Sequence, residues 1–475
     1  MAGLNITDDK SAIKVFEFFE EISKVPRGSS NTKKIADYLV DFARSRALEF
    51  YRDEYDNVII KKEATEGYEA RPTVILQGHT DIVADKIKSS KKNLEKEGLE
   101  LYRDGDFIRA KETTLGADDG IAMAYALALL NSSDIPHPKI EALFTSDEEI
   151  GLIGASALDT SNLDGKIMIN VDSDEEGVFT VGCAGGLRMD LEFNAERKLT
   201  DGNLYKLSIS GLMGGHSGVE INKGRLNAIK ELGKILLSLK SVKIVEIEGG
   251  NADNAIPRDA YAIFGSDIDY SSIKSLTELS ERNLQINDKN AKITLEKYED
   301  RALAFDCENS AEILSALDSL PSGVCAMEEK IPDMVETSMN VGIIKTFDTG
   351  VTISASLRSS RAAAKADLKA RVRAIGERLG ASVSERGEYP EWEFKSQSRL
   401  CDIMKEVYTE MHGSEPSVII IHAGLECGIF SNKIPGLDCV SIGPDNFDIH
   451  TPDEHLSISS SIRVWHFLKE VLKRI

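Results

Sequence analysis

The feature that most constrains the fold is an alternation of apolar, strand-like runs with helical patterns. Residues 73–77, 139–144 and 166–171 are short runs rich in Val, Ile and Leu, and the Ala- and Leu-rich segment 120–130 lies between the first two. Such alternation is typical of a layered α/β fold with a mostly parallel sheet. The sequence therefore predicts an α/β architecture for this part of the chain.

The middle of the chain follows another pattern. From about residue 186 to 390, the strand-like segments alternate apolar and polar residues, as in 204–210 and 351–357. This alternation is expected of antiparallel sheets that have one face on a core and the other in water. Amphipathic helical segments lie between them. We therefore predict an α+β region here.

The 475 residues exceed the size at which single cores stop growing, so two domains are expected. The strand and helix patterns of the first region return at 438–442 and 459–475. We predict a discontinuous catalytic domain made of residues 1–186 and 391–475, with an inserted α+β domain at 187–390.

Composition narrows the classes of partner. The formal net charge of −22 argues against nucleic acid and anionic membranes, which need basic patches. No apolar stretch reaches the roughly 18 residues of a membrane span, and the N-terminus is polar. Six cysteines without a CxxC pair are typical of reduced thiols. A cytoplasmic location is expected.

Metal-ligating side chains follow the strand-like runs. These residues are His79 and Asp81, Glu148 and Glu149, Asp172, and His450 near the C-terminus, with Asp118 and Asp119 before the helix at 120. The carboxyl ends of parallel strands meet at one edge of a sheet. Imidazole and carboxylate are ligands of zinc, manganese and cobalt. The sequence therefore predicts a hydrolase built on two metals.

Each residue also has a purely structural explanation, and one assignment stays open. Asp118 or Asp119 could cap the helix that follows. One carboxylate of the pair Glu148–Glu149 can bind metal while the other takes a proton from water, but spacing does not say which. Asp81, two residues after His79, is placed to accept the second imidazole N–H.

Four motifs carry a family resemblance that runs the full length of the chain: Gly78–Asp81, Leu115–Gly120, Asp147–Gly151 and His422–Gly428. With them the chain resembles the co-catalytic zinc aminoacylase/carboxypeptidase superfamily, and within it the aminoacyl-histidine dipeptidases. The resemblance implies two divalent ions, with zinc expected and manganese or cobalt as alternatives. Its implied roles are His79 and Asp172 on one metal, Glu149 and His450 on the other, Asp118 as bridge, Glu148 as general base and Asp81 as orienting residue.

The resemblance also gives the inserted region a role as a lid or dimerisation domain. It implies that His216 stabilises the oxyanion and that Asn254 and Arg358 contact substrate. The turn round His216 could instead be only a tight connection, and Arg358 an ordinary surface strand residue. His422 and Glu426 either line the substrate pocket or support it, and both alternatives stay open.

The expected activity is hydrolysis of short peptides with a free N-terminus, including Xaa-His dipeptides such as carnosine. An N-acyl amino acid deacylase or a tripeptidase could use the same site. A catalytically silent binding protein is the alternative from another class, but its usual mark, a missing ligand or base, does not occur here.

A homodimer through the inserted domain and a monomer are both open. The other histidines, expected not to bind metal, are His137, His412, His455 and His466.

Overall fold

The computed structural model describes residues 6–200, 202–329, 331 and 333–475. They divide into two compact units. Unit 1 comprises the described residues up to Gly182, with Phe394–Ile420 and Leu425–Ile475; unit 2 comprises those of Cys183–Glu393, with Ile421–Gly424. The sequence predicts divisions near residues 186 and 390 and a single domain for the whole C-terminal part. The short segment Ile421–Gly424 departs from that division.

Helices occur in both units. The α-helices of the described residues are α1 (Ile13–Ser23), α2 (Lys33–Ser45), α3 (Ala117–Asn131), α4 (Ile153–Ala157), α5 (Ala228–Ser238), α6 (Tyr270–Asn287), α7 (Cys307–Ser319), α8 (Ala362–Arg378), α9 (Arg399–His412), α10 (Glu426–Lys433) and α11 (Ile458–Arg474). Short 3₁₀ turns lie at Thr160–Asn162 and Ile221–Lys223.

The strands of the described residues are β1 (Glu49–Arg52), β2 (Val58–Lys62), β3 (Val74–His79), β4 (Leu101–Asp104), β5 (Phe107–Ala110), β6 (Ile140–Thr145), β7 (Ile167–Asn170), β8 (Val178–Cys183), β9 (Gly185–Asn194), β10 (Lys198–Leu199), β11 (Asn203–Ser210), β12 (Gly215–His216) and β13 (Lys243–Gly249). They continue with β14 (Ala255–Ile256), β15 (Ala260–Ser266), β16 (Lys292–Tyr298), β17 (Leu303–Ala304), β18 (Gly323–Met327), β19 (Val335–Phe347), β20 (Gly350–Ser359), β21 (Ser382–Tyr389), β22 (Ser417–Ile421), β23 (Asp438–Ser441), β24 (Asn446–Phe447) and β25 (His455–Ser457).

Unit 1 is built on a sheet with the strand order β1-β2-β6-β3-β7-β23-β8-β22. Strand β3 pairs in parallel with β6 and β7, and β7 pairs in parallel with β23. Every residue of β3 and β6 is buried, which explains why both segments are mostly apolar in sequence, with Gln77 and Glu141 as polar exceptions. The predicted α/β class with parallel central strands is confirmed.

Helix α3 covers this sheet and is apolar on almost all sides, as expected for a helix enclosed in a core. It packs against α1 and β3. Its Tyr125 stacks on Trp465 of α11, with ring centroids 5.8 Å apart. Regular helical geometry begins only at Gly120, because Asp118 and Asp119 have non-helical backbone angles. Both carboxylates therefore leave the helix start in directions that a helix would not give them.

Unit 2 contains an antiparallel sheet with the order β16-β11-β15-β13-β19-β20-β9-β21, and β18 pairs with β19. Burial alternates along strands such as β9 and β11, so one face packs on a core and the other does not. The core joins this face to helices α5, α7 and α8 through Leu232, Leu317 and Val372, among others. The antiparallel α+β pattern predicted for this region is confirmed. Among the described residues, no helix has the length and apolarity needed to cross a membrane.

Candidate metal centre and substrate residues

The predicted ligands of unit 1 collect at one edge of its sheet. His79 is the last residue of β3, Glu148 and Glu149 follow β6, and Asp172 comes two residues after β7. These three strands are parallel neighbours, so their carboxyl ends lie side by side. His450 approaches from the segment between β24 and β25.

Asp118 lies at the centre of this cluster. Its Oδ1 is 2.9 Å from Nε2 of His79, and its Oδ2 is 3.1 Å from Nε2 of His450. His79 Nε2 is also 3.8 Å from Asp172, and His450 Nε2 is 2.9 Å from Glu149. Each oxygen of Asp118 thus faces a different imidazole, and each imidazole has a second carboxylate beside it.

The donor atoms are grouped as two metal ions require. His79, Asp118 and Asp172 each offer one donor atom, all within 4.8 Å of one another, and so do Asp118, Glu149 and His450. Asp118 belongs to both of these groups, whereas a third group, made of His79, Glu148 and Glu149, does not contain it. Mixed nitrogen and carboxylate donors suit zinc, manganese and cobalt. The residues present therefore fit a pair of divalent ions.

Electrostatics support the same conclusion. Burial, together with the neighbouring carboxylates Asp118 and Asp119, raises the pKa of Asp172 well above its usual range, although His79 opposes the shift. Hydrogen bonds to Asp118 and Glu149 raise the pKa of His450 to about 10. Without metal, bound protons balance the negative charge of several buried carboxylates. Divalent cations would supply that positive charge instead.

The raised pKa of Glu148 is the property expected of a side chain that accepts a proton near neutral pH. Burial raises its pKa to about 8 in the metal-free protein; His79 opposes the shift, and the charges of Glu426, Glu149 and Asp118 add to it. Such a carboxyl binds a proton readily near neutral pH. A bound cation lowers this pKa, because it stabilises the carboxylate.

The carboxylate of Asp81 makes hydrogen bonds that the sequence does not predict. Its carboxylate accepts the backbone N–H groups of Glu148 at 2.9 Å and Glu149 at 3.3 Å, and the hydroxyl of Ser29 at 2.8 Å. Nδ1 of His79 lies 3.1 Å from the Asp81 carbonyl oxygen and 3.5 Å from its carboxylate. The backbone carbonyl is thus the nearer acceptor for the imidazole, and the carboxylate fixes the segment that carries both glutamates.

Asp119 and Glu426 lie behind the cluster. Asp119 is buried and accepts the backbone N–H of His79 at 3.1 Å, so it holds the main chain of a predicted ligand. Glu426 is fully buried, and its carboxylate accepts hydrogen bonds from Gln77 and Thr145, each at 2.6 Å. Of the two roles left open for Glu426, this placement favours support over substrate contact.

In unit 2, His216 is held as one tautomer. It lies on β12, which pairs with β14, and is half-buried. Its Nδ1 accepts the backbone N–H groups of Gly218 at 3.1 Å and Val219 at 3.3 Å, which leaves Nε2 to carry the proton. Burial and the nearby charge of Arg358 lower the pKa of His216. It is therefore a neutral side chain with an N–H donor at Nε2.

Arg358 belongs to the same neighbourhood of unit 2. Its Nη1 donates to the hydroxyl of Tyr389 at 3.0 Å. Burial, followed by the charge of Arg358, lowers the pKa of His422 to about 3, and Nε2 of His422 lies 2.7 Å from Ser338 Oγ. Neither Tyr389 nor Ser338 belongs to a sequence motif, so sequence analysis does not predict them. One guanidinium and two neutral imidazoles therefore lie in the same neighbourhood of unit 2.

Asn254 lies next to His216 through the backbone. Its carbonyl accepts the N–H of Ser217 at 2.8 Å, and its side chain is exposed. The preceding residue is fixed from two sides, because the carbonyl of Asp253 accepts from Asn340 at 3.1 Å and from Ser356 at 3.0 Å. The loop that presents Asn254 is therefore anchored to the sheet.

The remaining histidines lie outside the donor groups found among the described residues. His137 is buried, with Nδ1 2.7 Å from the carbonyl of Pro138. His412 stacks on Tyr408 and His455 on Phe447, while His466 is 2.8 Å from Asp9. Each has a structural partner of its own.

A parallel α/β sheet whose strand ends carry this carboxylate and imidazole cluster is the architecture of a metallohydrolase. The sequence model of peptidase family M20/M25/M40 matches residues 75–474. The chain is 34% identical over 471 residues to the cytosol non-specific dipeptidase of Escherichia coli (strain K12), covering 97% of each protein. The chain therefore belongs to the M20/M25/M40 peptidase family, and the hydrolase class expected from the sequence is confirmed.

Comparison with solved structures supports the same family assignment. The aminoacylhistidine dipeptidase of Vibrio alginolyticus matches with a TM-score of 0.91 and 34% identity, over 100% of this chain and 98% of that one. The aminopeptidase PepT of Bacillus cereus matches with a TM-score of 0.58 and 16% identity, over 97% of both chains. The second likeness shows a shared fold alone.

Proposed function

We propose that this chain is a dinuclear metal-dependent dipeptidase that hydrolyses short peptides with a free N-terminus, including Xaa-His dipeptides such as carnosine. The observation that carries the proposal is the position of Asp118 between His79 and His450, within both donor groups. The names of the relatives at 34% identity, a cytosol non-specific dipeptidase and an aminoacylhistidine dipeptidase, support the substrate class.

In this proposal the metal pair supplies Lewis acidity and lowers the pKa of a nucleophilic water. The residues that would hold the metals are His79, Asp118, Asp172, Glu149 and His450, and Asp118 would serve both ions. Glu148 takes the proton of the attacking water and passes it to the leaving amine. Asp81 holds the backbone of the two glutamates and so keeps the base and its neighbouring ligand in fixed relation.

The residues of unit 2 are proposed to recognise the substrate. The guanidinium of Arg358 suits the C-terminal carboxylate of a dipeptide. The Nε2–H of His216 is a neutral donor of the kind that stabilises an oxyanion. Asn254 and His422 complete the proposed contacts. Zinc as the metal, a cytoplasmic location and a homodimer formed through unit 2 also belong to this proposal.

A substrate panel tests the function. We expect purified protein loaded with zinc, manganese or cobalt to cleave carnosine and unrelated dipeptides faster than tripeptides or N-acyl amino acids. Faster turnover of N-acyl amino acids would identify a deacylase, and faster turnover of tripeptides a tripeptidase. No turnover with any metal would indicate a silent binding protein.

Replacing Arg358 by Ala should lower kcat/KM for dipeptides by about 10- to 100-fold, the value of a lost charge-assisted hydrogen bond. The same change should have little effect on dipeptide amides, which lack the carboxylate. Steady-state kinetics with matched acid and amide substrates measure the difference. R373A is the control, since Arg373 lies in unit 2 but pairs with Glu385 at 2.6 Å. Equal losses on acid and amide would remove Arg358 as the carboxylate contact.

A further inference from the structure

We propose that Glu454 is a positioning residue that preorganises Asp118 for metal binding by holding the backbone of residues 115–118. This inference rests on the proposed role of Asp118 as the shared ligand. The sequence offered no motif for Glu454, and its side chain contacts none of the five ligand side chains through a hydrogen bond among the described residues. It acts through the main chain.

The carboxylate of Glu454 is enclosed mainly by backbone donors, and Nδ2 of Asn446 lies 3.5 Å from its Oε1. Glu454 is 2% exposed. Oε2 accepts the N–H groups of Leu115 at 2.7 Å and Gly116 at 2.8 Å, while Oε1 accepts that of Ala117 at 2.8 Å and lies 3.5 Å from that of Asp118. Successive N–H groups that converge on one point form a nest, which favours an anion at its centre.

Arg27 holds the opposite side of the same loop. Its buried guanidinium donates to the carbonyl of Gly116 at 2.6 Å and to that of Thr80 at 2.9 Å. The N–H of Gly116 therefore binds Glu454 while its carbonyl binds Arg27. Because Thr80 follows His79 directly, Arg27 also fixes the loop relative to the first imidazole. Gly116 has φ +65° and its Cβ position lies 2.7 Å from Ile82, so glycine is required.

The connection to His450 makes the arrangement specific to the metal centre. Glu454 lies four residues after His450. One short segment therefore supplies a ligand and also holds the loop that carries the shared ligand. Because the two oxygens of Asp118 lie within 3.1 Å of two different imidazoles, a shift of this loop would disturb both donor groups together. Positioning residues of this kind typically change metal affinity by about 10- to 100-fold.

The test compares E454Q with a matched variant, E141Q. Glutamine keeps the shape but turns an N–H₂ group toward backbone donors. Glu141 is also buried and accepts two backbone N–H groups, from Asp164 and Gly165 at 3.0 Å, but it lies at the start of β6, the end away from Glu148. Zinc affinity is measured by competition with a chromophoric chelator. The unfolding temperature of the metal-free protein is measured beside it.

We expect E454Q to bind zinc about 10- to 100-fold more weakly, and E141Q to keep its affinity even where its unfolding temperature falls. If E454Q does not fold, E454D takes its place, because it keeps the charge but is one methylene too short to reach the loop. Unchanged affinity in the folded Glu454 variant, or an equal loss in E141Q, would overturn the proposal.

The variant D118N separates this inference from the proposed function. It should lose zinc more completely than E454Q. If D118N binds zinc normally, the shared-ligand assignment fails, and the role of Glu454 fails with it. If D118N loses zinc while E454Q does not, only the role of Glu454 is overturned.

Discussion

Replacing Glu148 by Gln is expected to lower kcat for dipeptide hydrolysis by about 10²- to 10⁴-fold, the range found for a lost general base, while the metal content stays unchanged. The amide cannot accept a proton from water, but it keeps the size of the side chain. The five ligand side chains are untouched. Kinetics on carnosine, combined with metal analysis of the same preparation, measure both quantities.

The neighbouring variant E149Q is the matched control, since the two residues share one short segment. Glu149 lies 2.9 Å from His450 Nε2, so its loss should remove metal as well as activity. Full activity in E148Q would exclude Glu148 as the base. If E148Q lost metal and E149Q kept it, the two roles would have to be exchanged.

Three of the predicted site residues lie at or just after the end of a strand, whereas Asp118 lies at the start of a helix. His79, Glu149 and Asp172 follow β3, β6 and β7, and all three strands are short buried apolar runs that are visible in the sequence. Parallel pairing then brings strand ends together without further information. The α/β and α+β regions were predictable for the same reason, because burial on two faces or on one leaves different patterns in the chain.

Other parts depend on contacts that leave no local pattern. Glu454 binds N–H groups more than 330 residues before it, and a backbone donor has no sequence identity to detect. The choice between Asp118 and Asp119 depends on non-helical backbone angles at both residues. Tyr389 meets Arg358 across two strands, β20 and β21, that each pair with β9. Such groups become visible only when the chain is folded.

Removal of the metals by a chelator is expected to abolish hydrolysis, because Glu148 would then have no activated water to deprotonate. Re-addition of zinc, manganese or cobalt should restore it.

Removal should also change how stability depends on pH. In the metal-free protein, burial raises the pKa of Glu148 to about 8 and that of Glu426 to about 7, while Asp118 and Glu149 raise that of His450 to about 10.

All three pKa values lie above the ordinary ones, 4.5 for Glu and 6.5 for His, so folding takes up protons. The stability gained from this uptake is complete below the ordinary pKa values and is lost as the pH rises through the raised ones. The unfolding temperature of the metal-free protein should therefore fall as the pH rises from about 5 to about 9. Metal competes with protons for His450, and its positive charge lowers the pKa of the nearby Glu148 and Glu426, so the stabilisation by metal should grow over that range. Thermal unfolding at matched pH values, with and without zinc, measures both. Parallel curves would mean that metal binds neither to His450 nor close to Glu148 and Glu426.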